Sequence, residues 1–195
     1  GIDEHLKKTS ELAAWTTQNM PGMSAFNVDT TPYHGAGVTE TEDLAIAMST
    51  AVKYLRAMVS NGLNIDEAFS QISFTTSVGM DVFQGMAKLR AARFLWSRIT
   101  EVCGGQKSNG SMVLNAITAN RSLSKRDIAV NMLRSASACF AAGTGGANSV
   151  TLFPHTYLWG IENKTARRII RNTQNILINE SSLGRVVDPG GGSHY

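Results

Sequence analysis

The fold is decided at residues 29–37, DTTPYHGAG, where an apolar run ends in polar side chains and a helical pattern then begins. This order is typical of the carboxyl end of a strand in an α/β unit. Folds of that class place their chemistry at the carboxyl ends of their strands. The stretch therefore predicts a functional site, with His34 and its neighbour Tyr33 as candidate residues.

Strand-like runs alternate along the chain with long helical patterns. Each run is short and rich in β-branched or aromatic residues, and alternation with helices indicates βα units around a parallel sheet. The four runs lie near residues 24–31, 72–77, 112–118 and 148–153. The helix after the first run is predicted to begin at a capping box formed by Thr39 and Glu42. The third of these helices is predicted to begin at Ser124.

Four βα units cannot close a barrel by themselves. A (β/α)8 TIM barrel contains eight strands and typically about 250 residues. We therefore expect residues 1–195 to form half of such a barrel and to belong to a longer protein. A half barrel has two open strand edges, and unpaired edges favour pairing with another chain. The fragment is accordingly predicted to self-associate.

Composition and charge exclude several classes of protein. The 195 residues are 43% hydrophobic and 17% charged, which is ordinary for a globular domain. A net charge of +3 does not indicate a nucleic-acid partner, and no apolar run reaches the roughly 18 residues of a membrane span. Cys103 and Cys139 lie within helical patterns, without a C-x-x-C motif or a neighbouring histidine. They are predicted to be buried reduced thiols in a cytoplasmic protein without a metal site.

Six local strings occur along the chain in a characteristic order and spacing. They are Tyr33-His34 with Ala36-Gly37, residues 87–93 with Leu95-Trp96, residues 131–134, residues 166–169 with 171–174, Glu180-Ser181, and Asp188-Pro189 with residues 191–193 and Tyr195. Together they resemble the acyl-CoA-binding barrel of the coenzyme-B12-dependent acyl-CoA mutases, above all methylmalonyl-CoA mutase. The resemblance implies that the four strands form the second half of that barrel. It also implies that the first half and the cobalamin-binding domain lie outside these residues.

The resemblance assigns a role to the Tyr-His pair. In active members the histidine hydrogen-bonds the thioester carbonyl of the acyl-CoA and helps to steer the radical rearrangement, and His34 with Tyr33 occupies that place. Ser73 matches a serine of the family and is a further candidate for substrate binding. A neutral imidazole suits this role because its N–H can stabilise charge on a thioester oxygen. The alternative is that His34 is only a hydrogen-bonded loop histidine.

Several positions depart from the pattern of active family members. Gln71 stands where active members carry an arginine that pairs with the substrate carboxylate, and Thr75 stands where an aromatic residue lines the pocket. Ile117 and Ala119 replace a histidine and a glutamine, and Asn148 replaces another glutamine. A charge-assisted contact and most of the other polar contacts to substrate are thereby lost. This pattern resembles the non-catalytic small (β) subunit of the heterodimeric bacterial enzyme.

The resemblance therefore implies a subunit of an isomerase. That enzyme interconverts (R)-methylmalonyl-CoA and succinyl-CoA by adenosylcobalamin radical chemistry. The implied partner is the large catalytic subunit, which would hold the cofactor, and acyl-CoA is the ligand implied by the family. This chain would stabilise the large subunit and bind no cofactor itself.

Two other functions stay open at the level of the sequence. One is a divergent catalytic mutase for an uncharged branched acyl-CoA. Gln71 favours it, because a neutral acyl group needs no arginine, whereas Ile117 and Ala119 oppose it. The other is a stand-alone α/β binding module, which the missing half of the barrel opposes.

Overall fold

A computed structural model describes residues 1–106, 111–161 and 163–194 of the chain. The α-helices and β-strands in these ranges are α1 (Ile2–Asn19), β1 (Phe26–Asp29), α2 (Thr31–Gly35), α3 (Glu40–Ser60), α4 (Ile65–Ser70), β2 (Ile72–Val78), α5 (Val82–Val102), β3 (Val113–Thr118), α6 (Asn131–Thr144), β4 (Ser149–Thr151) and α7 (Lys164–Asn179). No helix in these ranges is long and apolar enough to cross a membrane. Tyr195, which ends the last of the six strings, lies outside the described residues.

The strands form one parallel sheet in the order β1-β2-β3-β4. Phe26 of β1 lies opposite Ile72 of β2, and Asn115 of β3 lies opposite Ser149 of β4. All four strands lie where the strand-like runs predicted them, with β2 extending one residue further, to Val78. The α/β class is therefore confirmed. Because the strands are parallel, their carboxyl ends share one edge of the sheet, which we call the carboxyl edge.

Helices cover one face of the sheet. On that face Val28, Phe74 and Leu114 are buried, and the Trp96 side chain of α5 packs edge-on against Phe74 with ring centroids 4.8 Å apart. Strand residues alternate between faces, so their neighbours point to the other side. That second face, which we call the polar face, carries small polar side chains, several of them exposed: Asn27, Ser73, Thr75, Asn115, Ser149 and Thr151.

The helix starts follow local capping rules. The predicted capping box of α3 is confirmed, because the Thr39 hydroxyl accepts a hydrogen bond from the Glu42 amide and the Glu42 carboxylate accepts one from the Thr39 amide. The short helix α4 was not predicted from the sequence. It begins with the same device, in which Asn64 and Glu67 cap each other. The spacing Asn64-x-x-Glu67 is the signal that identifies it.

The prediction that a helix begins at Ser124 is wrong. The helix α6 begins at Asn131, and Asp127 adopts a left-handed conformation with a φ of 46°, which no α-helix can continue through. The Asn131 side chain closes the intervening loop by accepting from the Ser124 amide and donating to the Ser124 carbonyl. A side chain seven residues away thus outweighs the local helix signal at Ser124.

The prediction that both cysteines are buried holds for one of them. Cys139 lies in α6 and is buried, and burial raises the pKa of its thiol. Cys103 is exposed, because it follows the last residue of α5 and lies beyond the part of that helix that packs on the sheet. The prediction failed because the apolar residues near Cys103 in the sequence extend beyond the buried face of α5.

Candidate functional site

The segment after β1 carries two of the three candidate residues. β1 ends at Asp29 and α2 begins two residues later, so Tyr33 and His34 lie at the carboxyl edge. Tyr33 is 51% exposed, whereas His34 is 1% exposed. Ser73 is the second residue of β2, near the opposite edge, and its hydroxyl donates to the Phe26 carbonyl at 3.3 Å. The structure therefore brings Tyr33 and His34 together and leaves Ser73 apart from them.

The imidazole of His34 is held inside the protein by Glu40, the first residue of α3. Its Nε2 lies 2.9 Å from Glu40 Oε1. Because an ionised carboxylate can only accept, Nε2 must carry the proton of this hydrogen bond. The other ring nitrogen, Nδ1, is buried and has no hydrogen-bond partner among the described residues. Neither ring nitrogen is thus presented to a ligand at the carboxyl edge.

A buried lysine joins two carboxylates beneath this edge. Lys88 Nζ lies 2.5 Å from Glu40 Oε2 and 2.5 Å from Asp43 Oδ2, and it donates to the Ser77 carbonyl at 2.9 Å. Its side chain is 2% exposed and that of Asp43 is 1% exposed. The Thr76 hydroxyl also donates to Asp43 Oδ2, at 2.8 Å. The ammonium therefore directs its N–H groups at partners inside the protein.

An arginine from the segment after β3 completes the arrangement. Arg121 donates to the carbonyls of His34, at 3.2 Å, and Val38, at 2.7 Å, and its guanidinium lies 3.2 Å from Glu40 Oε1. These contacts tie the segment after β3 to the segment after β1. We call this group of side chains the ion-pair network: His34, Glu40, Asp43, Lys88 and Arg121.

Comparison with known proteins places the chain in a family. A family model described as methylmalonyl-CoA mutase matches residues 2–195. The chain belongs to the methylmalonyl-CoA mutase family. It is 44% identical over 186 residues to a methylmalonyl-CoA mutase small subunit of Streptomyces virginiae, covering 95% of this chain and 30% of that protein.

Two further relatives of the methylmalonyl-CoA mutase family match over similar lengths. The small subunit of Propionibacterium freudenreichii subsp. shermanii is 41% identical over 176 residues, which is 90% of this chain and 28% of the relative. A methylmalonyl-CoA mutase of Escherichia coli is 33% identical over 187 residues, which is 95% of this chain and 26% of the relative. The chain thus spans less than a third of the length of these mutase relatives.

Gln71 and Asn148, two of the positions that the resemblance singled out, lie at the amino edge of the sheet. Gln71 directly precedes β2, is 2% exposed, and accepts a hydrogen bond from the Ala25 amide at 3.1 Å. Asn148 directly precedes β4 and accepts from the Leu114 amide and from Arg93. Both amides hold neighbouring chain segments together. They lie at the opposite edge from His34.

The three remaining positions, Thr75, Ile117 and Ala119, do not take part in the ion-pair network. Ile117 is a half-buried residue of β3, and Ala119 directly follows that strand and is fully buried. Thr75 is 9% exposed, and its hydroxyl donates to Asn27 Oδ1 at 3.1 Å on the polar face. Within the described residues, none of these three side chains forms a hydrogen bond with His34.

Sequence reasoning missed Glu40, Asp43, Lys88 and Arg121. The sequence does contain a signal for two of them, Asp43 and Lys88. Each of these charged residues lies one helical turn before an alanine that is buried in the structure. Asp43 precedes Ala47 in α3 in this way, and Lys88 precedes Ala92 in α5. A charge on the apolar face of a helix needs a partner. Opposite charges on two such faces therefore indicate a buried ion pair.

The cavity beside Asp43 and Lys88 is too small for a substrate. A cavity of about 10 Å³ is lined by Thr30, Asp43, Thr76 and Lys88 together with apolar side chains. That volume accommodates about one water molecule. Within residues 1–106, 111–161 and 163–194, no group of three His, Cys, Asp or Glu side chains is arranged to hold a metal ion. The ion-pair network links α3, α5 and the segments after β1 and β3.

Acid is expected to weaken the ion-pair network through Glu40. Burial alone would raise the pKa of its carboxyl, but hydrogen bonds from His34 and Lys88 and their charges lower it from 4.5 to about 2. A group whose pKa is lower in the folded state stabilises the protein above its unfolded pKa and loses that effect as the pH falls. Glu40 should therefore contribute its full stabilisation, roughly 1–3 kcal/mol, above pH 4.5 and lose it toward pH 2.

Urea denaturation of the wild type and Glu40→Gln across this pH range measures the effect. The difference in unfolding free energy should shrink as the pH falls from 4.5 to about 2. Glu101→Gln, on the outside of α5, controls for removal of one carboxyl. A Glu40→Gln difference that stays constant with pH contradicts the prediction.

Proposed function

We propose that this chain is the second half of a (β/α)8 acyl-CoA-binding barrel in a small, non-catalytic subunit of methylmalonyl-CoA mutase. The whole enzyme would interconvert (R)-methylmalonyl-CoA and succinyl-CoA in the cytoplasm. The large subunit would perform the chemistry. The small subunit would stabilise it by burying surface between two similar barrels. The relatives named small subunits support this assignment.

The half barrel is supported by the sheet. Its four parallel strands follow one another in sequence order, with helices on one face, as in a barrel wall. Within the described residues β1 and β4 each pair with one strand, so each has an edge that strands of the first half would complete. The same open edges support self-association of residues 1–195 in isolation. Light scattering of that fragment tests the point, and a monomer contradicts it.

The polar face supports acyl-CoA as the ligand of the barrel. The interiors of most such barrels are filled by bulky branched side chains. Here Asn27, Ser73 and Asn115 are small and polar, and Ser73 and Ser149 donate to the Asn27 and Asn115 side-chain oxygens. A closed barrel with this lining would leave room and hydrogen-bonding groups for a long polar chain.

The observation that carries the non-catalytic role is the state of His34. Its Nε2–H group donates a hydrogen bond to Glu40, and its Nδ1 is buried. The imidazole therefore offers no donor to a thioester carbonyl. Electrostatic stabilisation requires donors aimed at the atom where charge develops. Arg121 and Lys88 are directed at protein groups as well. The cationic groups of the network are thus committed to the fold.

Adenosylcobalamin supplies the radical chemistry of the family when it is bound. The residues described here do not fit it as ligands. Both nitrogens of His34 lie inside the protein, and Ile117 and Ala119 bring no polar atoms to the carboxyl edge. In this proposal the cofactor is bound by the large subunit.

The divergent catalytic mutase is the second candidate. Its support from the sequence was Gln71 as a neutral replacement for the substrate-binding arginine. Gln71 is buried at the amino edge and holds the Ala25 amide, so it provides no substrate pocket near His34. The structure offers no other observation that favours this enzyme.

Expression of the full-length protein with and without a large mutase subunit tests the proposal. The two chains should copurify as a stoichiometric complex that turns over (R)-methylmalonyl-CoA with adenosylcobalamin. The full-length protein alone should show no turnover. Turnover by the isolated protein, with methylmalonyl-CoA or with an uncharged branched acyl-CoA, overturns the non-catalytic assignment.

A further inference from the structure

We propose that Glu40 is the positioning residue that withdraws His34 from ligand chemistry at the carboxyl edge. In this role Glu40 acts as a lock, because its carboxylate binds the imidazole and holds it inside the protein. The inference deepens the proposed non-catalytic function and rests on it. It concerns one side chain whose effect can be measured without any mutase activity.

The first step is the geometry of the lock. Glu40 Oε1 lies 2.9 Å from His34 Nε2, and the imidazole is 1% exposed. The Glu40 side chain itself is 18% exposed, so it is more accessible to solvent than the imidazole that it binds. Nδ1 is buried with no hydrogen-bond partner among the described residues. Among the described residues, the hydrogen bond to Glu40 is therefore the only one that this buried ring makes. Its loss would leave both ring nitrogens buried without a partner, which costs free energy.

The second step is that the lock is itself held in place. Lys88 contacts Glu40 Oε2 at 2.5 Å, and Arg121 contacts Glu40 Oε1 at 3.2 Å. Arg121 also binds the His34 carbonyl, so backbone and side chain of the histidine are restrained from two directions. Two cations thus contact the same carboxylate that accepts the hydrogen bond from the imidazole. We infer that these contacts restrain the orientation of His34.

The third step is the turn that brings Glu40 back to His34. Glu40 follows His34 by six positions, and Gly37 between them adopts a φ of 108°. Residues that carry a side chain rarely adopt this backbone conformation, so glycine is strongly favoured there. The Gly37 amide donates to the His34 carbonyl at 3.1 Å, which closes the turn. The start of α3 is thus aimed at the imidazole by the local backbone.

Site-selective footprinting of the full-length protein tests the lock. Diethyl pyrocarbonate acylates accessible neutral imidazoles, and a thiol-reactive maleimide reports on cysteine exposure. In the wild type, exposed His5 should react at least about tenfold faster than His34. In Glu40→Ala, His34 should become reactive to within about threefold of His5, while the buried thiol of Cys139 stays protected.

Two variants serve as matched controls. Glu101→Ala removes a carboxylate from an exposed ion pair with Arg98 and should leave His34 protected. Glu40→Gln keeps a side-chain oxygen that accepts from Nε2, so it should retain most of the protection. Peptide mass mapping quantifies every modified residue in the same sample.

Three results overturn the proposal. The first is a wild-type His34 that reacts as fast as His5. The second is a Glu40→Ala variant in which His34 stays protected, which shows that another group holds the ring. The third is simultaneous loss of protection at His34 and Cys139, which shows that Glu40 supports the whole fold and has no selective effect on the imidazole. Mutase turnover plays no part in these outcomes, so failure here is distinguishable from failure of the proposed function.

Discussion

Replacing Lys88 with methionine is expected to lower the free energy of unfolding by about 3–5 kcal/mol. The ammonium is the cation that Asp43 contacts directly, and Asp43 is 1% exposed. Removing one partner of a buried ion pair leaves the other charge without compensation in a poorly hydrated place. Glu40 would lose one of its two cations as well, and only the partly exposed Arg121 would remain. Methionine preserves most of the volume, so the loss reports on charge.

Urea denaturation of the full-length protein measures this loss. Lys53→Met, on the exposed surface of α3, is the matched control and should change the unfolding free energy by no more than about 0.5 kcal/mol. The double variant Lys88→Met with Asp43→Asn should recover part of the loss, because it removes the uncompensated carboxylate. A cost below about 1 kcal/mol for Lys88→Met contradicts the described network.

Replacing Trp96 with alanine is expected to destabilise the protein by about 3–5 kcal/mol. Trp96 projects from α5 into the core and is 1% exposed. Its ring packs edge-on against Phe69, with centroids 5.2 Å apart, and against Phe74, with centroids 4.8 Å apart. The substitution removes the largest fully buried side chain from the contact between helix α5 and strand β2. The cavity that it leaves adds to the cost of the lost apolar contacts.

Far-ultraviolet circular dichroism during urea denaturation follows this variant, since its fluorescence changes with the loss of tryptophan. Trp15→Ala is the control, because Trp15 is 53% exposed on α1 and should contribute less than about 1 kcal/mol. Similar losses for Trp96→Ala and Trp15→Ala contradict the described core.

The α/β class and the positions of the strands could be predicted from the sequence because their signals are local. β-branched runs located all four strands, and the capping box at Thr39 and Glu42 located the start of α3. Those signals depend on residues within a few positions of each other. The start of α6 was predicted wrongly because Asn131 binds back to Ser124 across a loop, which no local rule includes.

The candidate site was predicted less well because its contacts are not local. His34 was placed correctly at the carboxyl edge, but the partners of its network come from α3, α5 and the segment after β3. Lys88 and Asp43 are separated by 45 positions in sequence and meet only when α3 and α5 pack together. Gln71 was considered as part of a substrate pocket, whereas it caps the amino edge.

In the proposed non-catalytic role His34 performs no chemistry. The most direct measurement is the mutase turnover of the complex between the large subunit and a His34→Gln variant of this protein. Glutamine retains a hydrogen-bond donor for the Glu40 carboxylate. Turnover is expected to stay within about twofold of that of the wild-type complex. A loss of about a hundredfold or more, the scale of a lost general acid or electrostatic stabiliser, would contradict it.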